Sequence, residues 1–272
     1  KNEKYNVAKS YILYREKRTQ MSNERLELVK LIGDEELEDV LVDIQKAYPD
    51  YDLKRLYEKF STMSKEGQSL KDRIALLTRS SAELTTKEEP NWERIAGRLL
   101  SYSIACDLKV TEEKLGLTSF YHKISYMIEQ GLYGAYILEN YSHKEVDEIA
   151  ALIDNKRNNL FTYSGLDLLS QRYLIRSHQH VLLESPQEMY IGIAMHLAMK
   201  ETNDRIGWVK KFYDMMSLHQ VTMATPTQAN ARKPYHQLSS CFIDTVPDSL
   251  DGIYHSISNF ADVSKFGGGM GM

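Results

Sequence analysis

Apolar residues recur every three to four positions through most of the first two hundred residues of this chain. The pattern is clear in the segments 7–13, 37–44 and 95–104, where the apolar side chains fall on one face of a helix. This spacing is typical of amphipathic helices that bury one face against a common core. We therefore expect a helical domain to occupy most of the chain.

Breaks in this pattern divide the helical region and predict where it ends. Residues 142–145 (SHKE) fit a capping box that opens a helix. Residues 172–184 consist of two short β-prone runs around a polar turn, which predicts a β-hairpin. Helical spacing returns at 188–200 and 204–218, and after residue 219 the sequence predicts a strand at 239–246 and a helix at about 248–260. The domain boundary is expected near residues 200–220.

Composition restricts the class of protein and its compartment. Of the 272 residues, 42% are hydrophobic and 26% are charged, as in ordinary globular proteins, and no apolar run approaches the length of a membrane span. A net charge of -4 argues against DNA as a partner. Two cysteines are too few for a disulfide framework. Together with the polar N-terminus, these features predict a cytoplasmic chain without a membrane partner.

The residues with chemical potential lie after position 224, and each also has a structural interpretation. Cys241 lies in the predicted strand, where a single cysteine is usually packed in the core. The glycine-rich run 267–271 is either a flexible end or a backbone that approaches a ligand closely. Asp248 and Ser249 precede a predicted helix and are ordinary N-cap residues. No metal site is expected, because His178 and His180 have no third ligand nearby in the sequence.

Four segments in this part of the chain resemble the start of the catalytic barrel in the large subunit of class I ribonucleotide reductases. They are residues 225–227 (TPT), 238–243 (LSSCFI), 247–254 (PDSLDGIY) and 264–272 (SKFGGGMGM). The resemblance implies a mainly α protein in which an N-terminal helical domain is followed by the first strand and helix units of a ten-stranded α/β barrel. It implies the last helix of an ATP-cone-like module at 1–20, a helical domain at 21–205 and the incomplete barrel at 206–272.

The resemblance also assigns roles to individual residues. Cys241 matches one half of the redox pair that supplies two electrons for removal of the ribose 2′-hydroxyl. The residues that match substrate contacts are Thr225, Ser240, Gly268 and Gly269. The residues that match the allosteric effector site are Asp248, Ser249, Leu250 and Lys265.

The expected reaction is reduction of ribonucleoside diphosphates to deoxyribonucleotides by thiol and radical chemistry. The resemblance implies no covalently bound cofactor, dNTP or ATP as allosteric effectors, and a radical from a metal-containing small subunit. Further expected partners are the C-terminal remainder of the large subunit, a second large subunit in a homodimer, and a reductant of the thioredoxin or glutaredoxin type. The thiyl-radical cysteine of the family would lie beyond Met272, so the chain is expected to be inactive by itself.

Two other interpretations remain open from the sequence. The chain could be a non-enzymatic nucleotide-binding or assembly module, in which the helical domain and the region around Asp248 serve only regulation. It could also belong to an adenosylcobalamin-dependent relative that shares the barrel motifs. Replacement of Cys241 by serine separates the first alternative from a reductase, and a requirement for cobalamin identifies the second.

Overall fold

The computed structural model describes residues 23–272, and the predicted ATP-cone-like segment at 1–20 lies outside them. The described chain falls into two compact units. The first unit contains the residues up to Asp107 together with Phe161–Asp167. The second unit contains Leu108–Leu160 and Leu168–Met272.

The first unit is helical, as its apolar spacing predicts. After a helical segment at 23–32, it contains α1 (Leu37–Ala47), α2 (Leu53–Met63), α3 (Leu70–Ala82) and the first part of α4 (Trp92–Leu115). Its core consists of buried apolar side chains, which include Leu28, Ile32, Leu37, Leu41, Ile44, Leu53, Leu56, Phe60, Ile74, Leu77, Trp92, Ile95 and Leu99. Their spacing of three to four residues is the amphipathic pattern of the sequence, and burying them drives the packing of these helices.

The second unit combines helices with a short β-structure. Its helical elements are α5 (Phe120–Glu129), α6 (Tyr136–Asn140), α7 (His143–Ala150), a 3₁₀ helix (Asn155–Leu160), the end of α8 (Tyr163–Arg172), α9 (Pro186–Ala198), α10 (Arg205–Ser217) and α11 (Thr225–Asn230). Helix α9 is buried on nearly every side, from Pro186 to Ala198. A helix of this kind is the centre around which the other helices of a unit pack.

Capping side chains fix where several of these helices begin. The predicted capping box is present: the Ser142 hydroxyl accepts from the Glu145 backbone N–H, and the Glu145 side chain accepts from the Ser142 N–H. A second capping box joins Ser185 and Glu188 at the start of α9. Such reciprocal bonds satisfy two N–H groups that a helix leaves without internal partners.

The region after α11 forms a small β–α–β arrangement. Strand β1 (Cys241–Ile243) leads through α12 (Leu250–Lys265) to β2 (Gly269–Gly271), and the two strands pair in parallel. The predicted strand at 239–246 is therefore longer than the observed one, because its partner β2 offers only three residues for pairing. The predicted helix at about 248–260 begins two residues later and extends to Lys265, since Ser249 is extended and caps it.

The segment predicted as a β-hairpin contains an antiparallel bridge between Arg176 and Leu182. The Ser177 N–H donates to the Val181 carbonyl oxygen at 2.8 Å. The first residue of the predicted segment, Arg172, belongs to α8.

Among residues 23–272, no helix combines the length and the apolar character needed to cross a bilayer.

Candidate active site

Strand pairing places Cys241 beside the glycine-rich segment. In the parallel register Cys241 lies opposite Gly269, Phe242 opposite Met270 and Ile243 opposite Gly271. The Gly269 N–H donates to the Ser240 carbonyl oxygen at 2.8 Å. Cys241 and Gly269 are 28 positions apart in the sequence. They and Ser240, which the resemblance assigns to catalysis and substrate binding, are therefore neighbours in this structure.

Cys241 is exposed and is a free thiol. Its sulfur lies 3.7 Å from the Ser240 hydroxyl oxygen, at which distance the hydroxyl donates a weak hydrogen bond to sulfur. The core interpretation of Cys241 is thus wrong for this structure. The exposed thiol is accessible to other thiols and to reductants, whereas a buried structural cysteine is inert.

The three consecutive glycines at the start of the glycine-rich segment differ in their surroundings. Gly267 has φ +83°, a left-handed conformation that side chains other than glycine rarely adopt. At Gly268 a Cβ would lie 2.7 Å from Val263 Cγ1 and 2.9 Å from Phe242 Cε2, so this position has no room for a side chain. At Gly269 a Cβ would meet only the Ser240 oxygen at 3.6 Å, an ordinary contact. Gly269 therefore leaves open space next to Cys241.

The candidate phosphate-binding residue Thr225 is the first residue of α11. Its hydroxyl lies 3.2 Å from the Tyr173 hydroxyl, an arrangement in which either group can donate. In the same helix, the buried Thr227 hydroxyl donates to the Leu238 carbonyl oxygen at 3.4 Å. The Thr227 bond connects α11 to the segment that leads into Ser240.

A buried ion pair fixes the end of this helix. Arg232 is fully buried and binds Glu184, which is 1% exposed. The guanidinium also donates to the Gln228 carbonyl at 2.7 Å and to the Tyr173 carbonyl at 2.9 Å, so its N–H groups have acceptors on several sides. Burial disfavours the charged guanidinium, but the Glu184 carboxylate outweighs this effect and raises the pKa of Arg232. A pair satisfied in this way holds one geometry.

An aromatic cluster lies next to that ion pair. The Tyr136 hydroxyl donates to the Ala231 carbonyl at 2.6 Å and lies 2.9 Å from His196 Nδ1. The rings of His196 and His236 are 5.2 Å apart. Burial, with a smaller effect from His236, lowers the pKa of His196 to about 4. His196 is therefore neutral at physiological pH.

The candidate effector residues lie at two ends of α12. The Ser249 hydroxyl accepts from the Gly252 N–H at 3.1 Å and caps the helix, as the sequence predicts. Asp248 and Leu250 are exposed beside it. Lys265 is the last of the helix's 16 residues, with its ammonium nitrogen 5.5 Å from the Phe266 ring centre. At about 1.5 Å per residue the helix is roughly 24 Å long. Lys265 is therefore remote from the other three residues within this chain.

The sequence pattern does not indicate the buried pair of Arg232 and Glu184. Arg232 and Glu184 are 48 positions apart, and no spacing rule connects an arginine to a glutamate at that distance. The one sequence feature that could have drawn attention to Arg232 is its position between two of the family-like segments, 225–227 and 238–243.

Within the described part of the chain, no group of three or more histidine, cysteine or acidic side chains could hold a metal ion.

Comparison with known proteins gives two family matches, both in the second half of the chain. Residues 159–236 match the family described as "Ribonucleotide reductase, all-alpha domain". Residues 239–272 match "Ribonucleotide reductase, barrel domain". The barrel match includes β1, α12 and β2, and the all-alpha match ends before the segment 238–243 that contains Cys241.

Several curated proteins named "Ribonucleoside-diphosphate reductase subunit alpha" are similar to this chain. The protein of Treponema pallidum is 52% identical over 274 residues, which cover 99% of this chain and 32% of the relative. That of Helicobacter pylori is 35% identical over 68% of this chain and 22% of its own length. That of Synechocystis is 32% identical, covering 78% of this chain and 27% of the relative. The chain thus spans about a third or less of these relatives.

A helical region that matches the all-alpha domain is followed by a β–α–β unit that matches the barrel domain, which identifies this chain as part of a ribonucleotide reductase. Both domain matches and the identity to the Treponema protein support one assignment. The chain belongs to the family of ribonucleotide reductase large, or alpha, subunits.

Proposed function

We propose that this chain is part of a class I ribonucleoside-diphosphate reductase large subunit and acts together with the rest of the barrel and a radical-generating small subunit. The pairing of Cys241 with Gly269 carries this proposal, because it places an exposed thiol beside an open stretch of backbone. The relatives' name, "Ribonucleoside-diphosphate reductase subunit alpha", supports a diphosphate substrate.

In this proposal Cys241 is a redox thiol. Together with a second thiol from the rest of the subunit, it forms a disulfide and gives up two electrons and two protons. The ribose 2′-hydroxyl leaves as water, and the ribonucleotide becomes a deoxyribonucleotide. A thiol reductant of the thioredoxin or glutaredoxin type then converts the disulfide back to two thiols. The small subunit supplies the radical that activates the ribose.

Thr225 and Ser240 would hold the substrate diphosphate, since hydroxyl groups donate well to phosphate oxygens. The glycines would contribute differently. The Gly268 N–H donates to the Val263 carbonyl at 3.1 Å and the Gly269 N–H to the Ser240 carbonyl at 2.8 Å. Because both N–H groups are used within the chain, Gly268 and Gly269 would offer the substrate close approach of the backbone, with no further N–H donors.

Asp248, Ser249 and Leu250 would form part of an effector site for a dNTP or ATP. The Asp248 carboxylate is exposed and can accept a hydrogen bond from a ribose hydroxyl. Lys265 lies at the far end of α12, so it would act at a second position. We further propose a homodimer of large subunits and a cytoplasmic location.

The test is a reductase assay on a chimera in which residues 1–272 replace the matching part of the Treponema pallidum subunit. The chimera is assayed with a competent small subunit, a thiol reductant and each nucleoside diphosphate, beside this chain alone. Reduction by the chimera and none by the chain alone is the expected result. A correctly folded but inactive chimera that still binds dNTP would instead favour the nucleotide-binding module, and activity that requires cobalamin would favour the adenosylcobalamin-dependent relative.

A further inference from the structure

Asn230 connects the elements that carry the proposed substrate contacts. It is the last residue of α11, and its side-chain amide nitrogen donates to two carbonyl oxygens, those of Gln237 and Phe266, each at 3.0 Å. Asn230 is half-buried. A primary amide suits this position because its single nitrogen carries two hydrogens, one for each acceptor.

The two acceptors belong to different parts of the proposed site. Gln237 lies three residues before Ser240, in the segment that leads into β1, and Phe266 directly precedes the glycines. Thr225 begins the helix that Asn230 ends. One amide group therefore joins the helix of Thr225, the segment before Ser240 and the glycine-rich segment.

A ring contact next to the amide joins the same two segments independently. The Tyr235 ring stacks on the Phe266 ring, with centres 3.6 Å apart and planes at 20°. A Cβ at Gly268 would also lie 3.3 Å from Gln237 Nε2, so the two segments are closely packed there. These contacts leave little freedom for the glycine segment to shift relative to Gln237 while the Asn230 bonds are intact.

We propose that Asn230 is a positioning residue of the substrate site, which sets the spacing between Thr225, Ser240 and the glycines Gly268 and Gly269. This proposal rests on the proposed reductase function. It assigns Asn230 no contact with substrate. Loss of its two donors would free both the segment before Ser240 and the glycine segment from α11. Thr225, Ser240 and the glycines would then no longer contact one substrate together.

The test compares Asn230→Asp with Asn203→Asp in the chimeric large subunit. Asn230→Asp keeps the shape of the side chain but replaces its donors with an acceptor that faces two carbonyl oxygens. Asn203→Asp makes the same chemical change at an exposed loop position and serves as the control. Asn230→Ser retains one donor and should give an intermediate effect.

For Asn230→Asp we expect KM for the nucleoside diphosphate to rise about tenfold or more, as loss of two hydrogen bonds predicts. The turnover number should fall less, and dNTP affinity at the Asp248 end of α12 should stay unchanged. Faster amide exchange at residues 267–269 should accompany the change. For Asn203→Asp, KM should stay within about twofold of the unsubstituted value.

A KM within about twofold of wild type for Asn230→Asp overturns the proposal. A rise in KM that is accompanied by equal losses of turnover, effector affinity and melting temperature also overturns it, because that pattern indicates general destabilisation. If the unsubstituted chimera does not reduce nucleotides, the proposed function fails separately. Amide exchange then decides the role of Asn230, and unchanged protection of Gly269 in Asn230→Asp refutes it.

Discussion

The backbone N–H of Gly269 donates to the carbonyl oxygen of Ser240 at 2.8 Å. This bond starts the parallel ladder in which Cys241 lies opposite Gly269. Its consequence is chemical as well as structural, since the same ladder that orders β1 keeps the thiol next to backbone without side chains.

Replacement of Cys241 by serine should abolish nucleotide reduction by the chimera, because a hydroxyl cannot form the disulfide that supplies two electrons. Its melting temperature should not change, since Cys241 is exposed and contacts mainly Ser240. Binding of dNTP should also persist. Full turnover by the Cys241→Ser chimera would show that this residue has no redox role.

Alanine at Gly268 should destabilise the chain by about 1–3 kcal/mol, since its methyl group would clash with Val263 and Phe242. Alanine at Gly269 should change stability by no more than about 0.5 kcal/mol, because only the Ser240 oxygen is near. Urea unfolding of both variants measures the difference. If Gly269→Ala nonetheless raises KM for the nucleotide, the open space there is used by substrate.

Replacement of Glu184 by glutamine should destabilise the chain by about 3–5 kcal/mol, because it leaves the fully buried Arg232 guanidinium without its counter-charge. The matched control is Glu148→Gln, which removes the exposed pair with Lys144. That change should cost less than about 1 kcal/mol. Equal effects in chemical denaturation would contradict the structural role assigned to the buried pair.

Stability should fall as the pH decreases from about 6.5 to about 4, in part because of His196. In the unfolded chain a histidine binds its proton near pH 6.5. In the folded chain burial lowers the pKa of His196 to about 4, so between these values only the unfolded state gains the proton. His196→Gln should flatten this part of the stability profile, as measured by urea unfolding from pH 7 to pH 4. An unchanged slope would exclude His196 as a source of it.

Alanine substitutions at Ser249 and Asp248 should separate capping from effector binding. Ser249→Ala removes the bond to the Gly252 N–H and should cost about 1 kcal/mol of stability. Asp248→Ala should leave stability nearly unchanged but weaken dNTP binding about tenfold or more, as loss of a charge-assisted hydrogen bond predicts. Calorimetric titration with dNTP checks this, and unaltered affinity would place the effector elsewhere.

Local features of the chain could be predicted from the sequence because they depend on neighbours a few residues away. The capping box of Ser142 and Glu145 spans three residues, and Ser249 caps a helix that begins at the next position. The helices at 188–200 and 204–218 were predicted to within two residues of α9 and α10 at each end. Apolar periodicity is a local property of the same kind.

The limits of the strand at Cys241 could not be predicted from its own residues. The length of a strand depends on the partner it pairs with, and β2 lies 26 residues further along the chain from the end of β1. The exposure of Cys241 also depends on the tertiary structure, because the residue type by itself suggests burial. Which face of a short strand remains open depends on the elements that pack against it.

The sequence by itself determined the helical character of the chain, the helix starts and the family resemblance of the segments around Thr225, Cys241 and Gly268. The tertiary structure alone decided which residues meet: Arg232 with Glu184, Asn230 with Gln237 and Phe266, and Cys241 with Gly269. The physical reason is the distance along the chain over which each interaction acts. Helix propensity and capping act over one turn of backbone, whereas a buried ion pair or a parallel ladder forms only when folding brings distant segments together.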